Sequence, residues 1–391
     1  MEMSKANLKK VILVEYEFHY GFLYCLTKIF LNLGYQIDVY CSNEFRTFFL
    51  YKDKEYENIN IISKHTPFAG TLIALKNSKN ANIFIHFSVQ AHKVTNFVRL
   101  LKPKAKLNIL YTPRLSNWHE QKISLKLNRS AIIDNYFNIF RWIIKHNYDA
   151  YIVHSRQMVE KIGKNLTKKR VIEIPYTYRM KKPTKSVNKS GGSIANLNSP
   201  LRVVIPGSID PKRRDYLSIF QVNQHREGQL SDVVIEFAGV PNGSDFSNNN
   251  HESNYFETLK LAINHYSSTN GCKFILHQKR LNEVEYNESI KAADVVLMPV
   301  NTLNYQLGGW SAGLAESIEN DKIVLLPASY DPPAEYPSDF IKYKNAEDLQ
   351  CLLERIMLDR SLAKLSQNQI DRRVDVYGIN TIAARLRNCV E

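Results

Sequence analysis

Between Ala293 and Pro327 the chain reads ADVVLMPV, then NTLNYQLGGWSAGLAESIEN, then DKIVLLP. An apolar run of strand length enters a Gly-rich loop, a helix pattern opens, and a second strand-like run follows. Strand, helix and strand in that order predict a parallel sheet, because parallel neighbours need a crossover and a hairpin cannot supply one. The loop before the helix has a second consequence. It leaves unpaired backbone N–H groups and the positive helix end at the carboxyl edge of the sheet, where a phosphate or diphosphate can be held.

The same grammar recurs along the chain. Val11 to Val14 is a short β-rich run, followed by the loop Glu15 to His19, an apolar helix pattern over Phe22 to Leu33, Gly34, and a second strand at Gln36 to Tyr40. Further strand runs stand at Ile83 to Phe87, Leu107 to Tyr111, Ala150 to His154 and Val171 to Ile174. A polar stretch rich in Lys, Ser, Asn, Gly and Pro then separates these from a second series, Leu201 to Pro206, Val233 to Ala238, Lys273 to Leu276, Val295 to Pro299 and Ile323 to Pro327. The reading is α/β throughout, with a doubly wound domain over 1–180, a linker over 181–200, a second such domain over 201–370, and a C-terminal helix over 371–391 that returns to the first. Pro241 to Tyr255 reads as a polar surface loop.

Composition narrows the partners. The 391 residues carry 52 Lys and Arg against 38 Asp and Glu, a net +14, which favours anionic partners. Nucleic acid is not expected, since the cations are scattered and no RNA- or DNA-binding signature appears. Five cysteines, widely spaced and without metal-ligand spacing, suit a reducing cytoplasm. Neither a secretory leader nor a membrane span is expected, and no metal site. The aromatic and basic stretch Tyr136 to Tyr148 has the character of an interfacial helix, or of a buried core helix.

Four segments resemble, in order, the GT-B glycosyltransferases, most closely the large retaining group whose signature is a spaced pair of glutamates. Asn147 to Ile162 with Val171 to Tyr176 is similar to the strand, Ser, helix and "IPNG" strand that end the family's N-terminal domain. VVIPGSIDPKRRDY, Val203 to Tyr216, resembles the "GRLxxxKG" turn, and Leu281 to Val300 resembles the helix and strand before the donor loop. Gly308 to Pro327 resembles the loop and helix that carry the second signature glutamate, here Glu316. Counting back by the family's spacing reaches Gly308, so the first glutamate is absent, and Ser208 stands where the turn has arginine.

That resemblance implies two Rossmann-like domains facing across a cleft and transfer of a sugar, hexosyl in type and without a metal, from a nucleotide diphosphate sugar, a UDP-sugar being favoured. No cofactor is implied. It places Gly207, Ser208, Lys212 and Arg213 at the diphosphate, with backbone amides of Gly308, Gly309 and Ser311; Glu316 at the ribose hydroxyls; and Lys279, Arg280 and Leu281 around the base. If the transfer inverts, His19 and Glu17 are the candidate general bases, with His86 as rival, since histidine titrates near working pH. Trp118 and His119 are candidate acceptor contacts. The acceptor implied is a glycan or lipid-linked glycan in cell-surface polysaccharide synthesis, such as lipopolysaccharide or capsule, at the inner membrane face. Two other readings are a nucleotide-sugar epimerase of the same fold and a non-catalytic partner of an active transferase.

Overall fold

The computed structural model of the chain describes residues 9–16, 20–52, 58–63, 66–87, 101–111, 143, 146–163, 169–175, 199–220, 229–240, 250–301, 311–332 and 340–390. Described residues up to 175 and from 377 form one compact unit; those from 199 to 376 form another. Most of the expected linker, 181–198, lies outside the described residues.

The first unit is built on a seven-stranded sheet in the order β3-β2-β1-β4-β5-β6-β7. Its strands are β1 (Lys10–Glu15), β2 (Gln36–Cys41), β3 (Ile59–Ile62), β4 (Ile83–His86), β5 (Leu107–Tyr111), β6 (Ala150–Val153) and β7 (Arg170–Glu173). Every pairing is parallel, with Val11 opposite Ile37 and Val14 opposite His86. Parallel sheets are covered on both faces, which is why Val11, Ile12, Leu13 and Val14 are all fully buried instead of alternating. Helices α1 (Tyr20–Asn32), α2 (Asn43–Lys52), α3 (Pro67–Asn77) and α4 (Arg156–Gly163) belong to this unit.

The second unit has a six-stranded sheet in the order β10-β9-β8-β11-β12-β13, again all parallel. The strands are β8 (Leu201–Pro206), β9 (Val233–Ala238), β10 (Lys273–Leu276), β11 (Val295–Leu297), β12 (Ile323–Pro327) and β13 (Phe340–Tyr343). Its helices are α5 (Asn250–Asn270), α6 (Glu283–Ala292), α7 (Ala312–Glu319), α8 (Ala346–Leu358) and α9 (Gln367–Tyr377). Part of the stretch read as a polar loop is helical: Asn250 to Tyr255 open α5, whose later turns bury Leu259, Ile263 and Tyr266. Packing of those residues carries the polar first turns into the helix, against their local preference.

The chain's last helix, α10 (Ile379–Val390), belongs to the first unit. Its Ile382, Ala383 and Leu386 enter the core that Phe22, Leu26, Ile29 and Phe30 of α1 make with one face of the seven-stranded sheet. An Asn32 to Asn380 hydrogen bond of 3.1 Å ties the two helices at their ends. No helix among the described residues is long and apolar enough to cross a membrane.

Candidate functional site

Both sheets reverse their winding direction at one place. In the first the switch lies between β1 and β4; in the second it lies between β8 and β11. At such a point the connections leave in opposite directions and open a crevice outside the strands' carboxyl ends, where ligands of doubly wound folds sit.

In the second unit three segments meet at this point. Pro206 ends β8 and Gly207 turns the chain at φ +84°, a conformation that L side chains resist. Gly239, past the end of β9, presses against that turn; a β-carbon there would collide with the Gly207 carbonyl oxygen. On the other side α7 begins, its first turn so near β8 that a β-carbon on Gly313 would stand 2.8 Å from Cγ of Pro206. Ser311 is the N-cap of α7 and is buried, yet its side chain makes no capping hydrogen bond. The Leu314 amide donates instead to Ser311 O at 3.0 Å, so the serine hydroxyl is not used to cap the turn.

Arg214 completes the site. Residues 213–215 run antiparallel to the segment just past β11: Arg214 bridges Val300, the Asp215 amide donates to Pro299 O at 2.8 Å, and the Asn301 amide donates to Arg213 O at 2.9 Å. In an extended segment alternate residues face the same way. Arg214 and Tyr216 point inward, 6% and 0% exposed, while Asp215 is exposed and Arg213 is half-buried. The Tyr216 hydroxyl donates to Ser208 O at 3.1 Å and so ties this segment to the Gly207 turn. Nη2 of Arg214 lies 3.1 Å from the β-carbon position of Gly207 and 3.6 Å from that of Gly313, so the guanidinium occupies space that two missing side chains vacate. Nη1 is buried with no hydrogen-bond acceptor among the described residues, and no ion pair of the group with a carboxylate is found among them.

Glu316 stands in the second turn of α7, half-buried, and its Oε2 accepts from the Tyr286 hydroxyl of α6 at 2.6 Å. Lys279 and Arg280 are exposed in the loop between β10 and α6, with Leu281 half-buried, and Lys212 is exposed in the turn before Arg214. The structure thus brings Gly207 and Arg214 together beside the first turn of α7, whose N-cap is Ser311, and of these Arg214 is the one that sequence reasoning misses. The alternation of inward and outward positions through KRRDY is the signal that could find it. Gly308 and Gly309 lie outside the described residues.

At the first unit's switch point, Glu15 and His86 end β1 and β4 and are both fully buried. His86 Nδ1 is 2.7 Å from the Tyr148 hydroxyl, so the ring is enclosed in the protein and not open to solvent. Glu17, His19, Trp118 and His119 fall outside the described residues, as does most of the aromatic stretch before Tyr148.

Two Rossmann-like parallel sheets, each with its own switch point, define the GT-B class of fold. No family model matches the chain, and no curated protein is similar to it in sequence. Solved structures do resemble it. HepE of Anabaena, determined with UDP-glucose, superposes with a TM-score of 0.59 at 10% identity, covering 97% of this chain and 99% of that one. The N-terminal domain of Candida albicans trehalose-6-phosphate phosphatase gives 0.53 at 11% identity over 100% and 98%. An α-glucosyltransferase bound to UDP and a DNA oligomer gives 0.51 at 12% identity over 97% and 95%.

Proposed function

We propose that the protein is a glycosyltransferase that takes a sugar from a nucleoside diphosphate sugar, with UDP as the carrier. The observation that carries this reading is the buried guanidinium of Arg214, held without a carboxylate among the described residues, between the Gly207 turn and the opening of α7. Burying a cation costs several kcal/mol unless a counter-charge joins it. Here the added field of a helix N-terminus makes an anion the fitting counter-charge. Glycosyl transfer needs such a place, because negative charge develops on the departing diphosphate and groups already oriented toward it lower the barrier.

In this reading the amides of Gly308, Gly309 and Ser311 join Arg214 at the diphosphate, Lys212 and Arg213 attract it from outside, and Glu316 accepts from the ribose. The loop Lys279 to Leu281 brackets the base. With a guanidinium and a helix end at the leaving group, the reaction proceeds without a metal ion. The base that deprotonates the acceptor is assigned to Glu17 or His19, which follow β1 in the chain, in preference to the enclosed His86, with Trp118 and His119 at the acceptor. A glycan or lipid-linked glycan at the cytoplasmic membrane face suits the +14 charge. The nucleotides in HepE and in the α-glucosyltransferase support the choice of UDP.

The test is thermal-shift titration with UDP, GDP, ADP and CMP. Ligand that binds only the native state raises apparent stability with concentration. UDP is expected to raise the midpoint most; no response to any of the four contradicts the proposal.

A further inference from the structure

The hydrogen bond between Tyr286 and Glu316 lies outside the phosphate cradle, and both residues stand on well fixed turns. Tyr286 is in the first turns of α6, whose start is closed by a capping box. Asn282 Oδ1 accepts from the Glu285 amide at 3.0 Å, and the Glu285 carboxylate accepts from the Asn282 amide at 2.9 Å. The Tyr286 amide itself donates to Asn282 O at 2.9 Å. Glu316 is held from behind, its backbone carbonyl accepting from both the amide and Nδ2 of Asn320, at 3.1 and 2.9 Å.

Helices α6 and α7 follow β10 and β11, so both begin at the carboxyl edge of one sheet. The phenol therefore meets the carboxylate on the edge that carries Gly207 and Arg214. An O–H···O⁻ bond of 2.6 Å is charge-assisted and strong. A glutamate on a helix surface otherwise samples several rotamers, and ordering them on binding costs affinity. A carboxylate offers about four lone-pair sites, so a bond from Tyr286 does not by itself prevent acceptance from a pair of hydroxyls.

We infer that Tyr286 is a positioning residue that fixes the Glu316 carboxylate for a vicinal diol, and thereby selects ribonucleoside over deoxyribonucleoside diphosphates. The inference rests on the donor-site reading above. Without the phenol, Glu316 keeps its place on α7 but loses that bond, so the reward for ribose hydroxyls falls while phosphate binding is untouched.

The experiment is calorimetric titration of the full chain with UDP and with 2′,3′-dideoxy-UDP, for wild type, Tyr286→Phe and Glu316→Gln. Wild type is expected to prefer UDP by more than about 10-fold, as for hydroxyls bonded to a charged group. Tyr286→Phe, which keeps the ring and its packing, is expected to lower UDP affinity roughly 5-fold with dideoxy-UDP affinity unchanged, and Glu316→Gln to remove most of the preference. A merely structural tyrosine would weaken both ligands together and leave the ratio at its wild-type value. That result, with UDP still bound by wild type, overturns this inference alone; failure of wild type to bind UDP overturns it together with the donor-site reading.

Discussion

Nη2 of Arg214 lies 3.1 Å from the point where a β-carbon on Gly207 would stand. The cation is thus packed against the turn, with Nη1 buried and lacking an acceptor among the described residues. In the ligand-free protein this is a cost to stability, and natural sites retain such costs where binding offsets them. Arg214→Met keeps most of the side-chain volume and removes the charge. It is expected to leave the ligand-free protein as stable as wild type or up to about 2 kcal/mol more stable, measured by urea denaturation.

The Gly207 turn is expected to be intolerant for two separate reasons. Alanine at φ +84° carries a conformational penalty of about 1–2 kcal/mol, and its β-carbon would push the guanidinium from its place. Gly207→Ala should therefore lower the midpoint of thermal unfolding and also weaken nucleotide binding. A loss of stability with unchanged binding would show that Arg214 does not need its present position.

Packing of α10 on α1 makes the C-terminus part of the first unit. Leu386 is fully buried in that core. Leu386→Ala is expected to cost about 2–5 kcal/mol. Hydrogen exchange should quicken in α1 and in β1 and β2, while β8 to β12 keep their protection.

Thiol reactivity should follow burial. Cys41 and Cys272 are fully buried, and burial pushes each thiol up to about 12. Cys351 is exposed. Since the thiolate is the reactive form, iodoacetamide at pH 8 should modify Cys351 first and reach Cys41 and Cys272 only after denaturation. Mass spectrometry of the digested protein reads this directly.

Strands buried on both faces are legible as continuous apolar runs, which is how β1, β8, β11 and β12 announce themselves. Two edge strands are not. Ile59–Ile62 borders the first sheet and Phe340–Tyr343 the second, and both are short and only partly buried, so neither pattern stands out from its surroundings. At the site, Gly207 is visible because it ends an apolar strand run just before a basic turn. Glu316 is visible because a carboxylate interrupts the small and apolar pattern of α7 soon after the Gly-rich loop. Arg214 is hidden among three adjacent cations. Composition alone does not separate them; the pairing of this segment with Pro299 to Asn301 does, by turning every second side chain inward.

The central claim is that the buried guanidinium at the second switch point receives the phosphates of a nucleoside diphosphate. Calorimetric titration of UDP into wild type, Arg214→Met and Lys212→Ala tests it most directly. A hydrogen-bonded charge pair contributes about 1.5–3 kcal/mol, so Arg214→Met is expected to weaken UDP by roughly 10-fold to 150-fold. The exposed Lys212 should matter by only about 5-fold or less. UDP binding of equal strength in wild type and Arg214→Met would contradict the account.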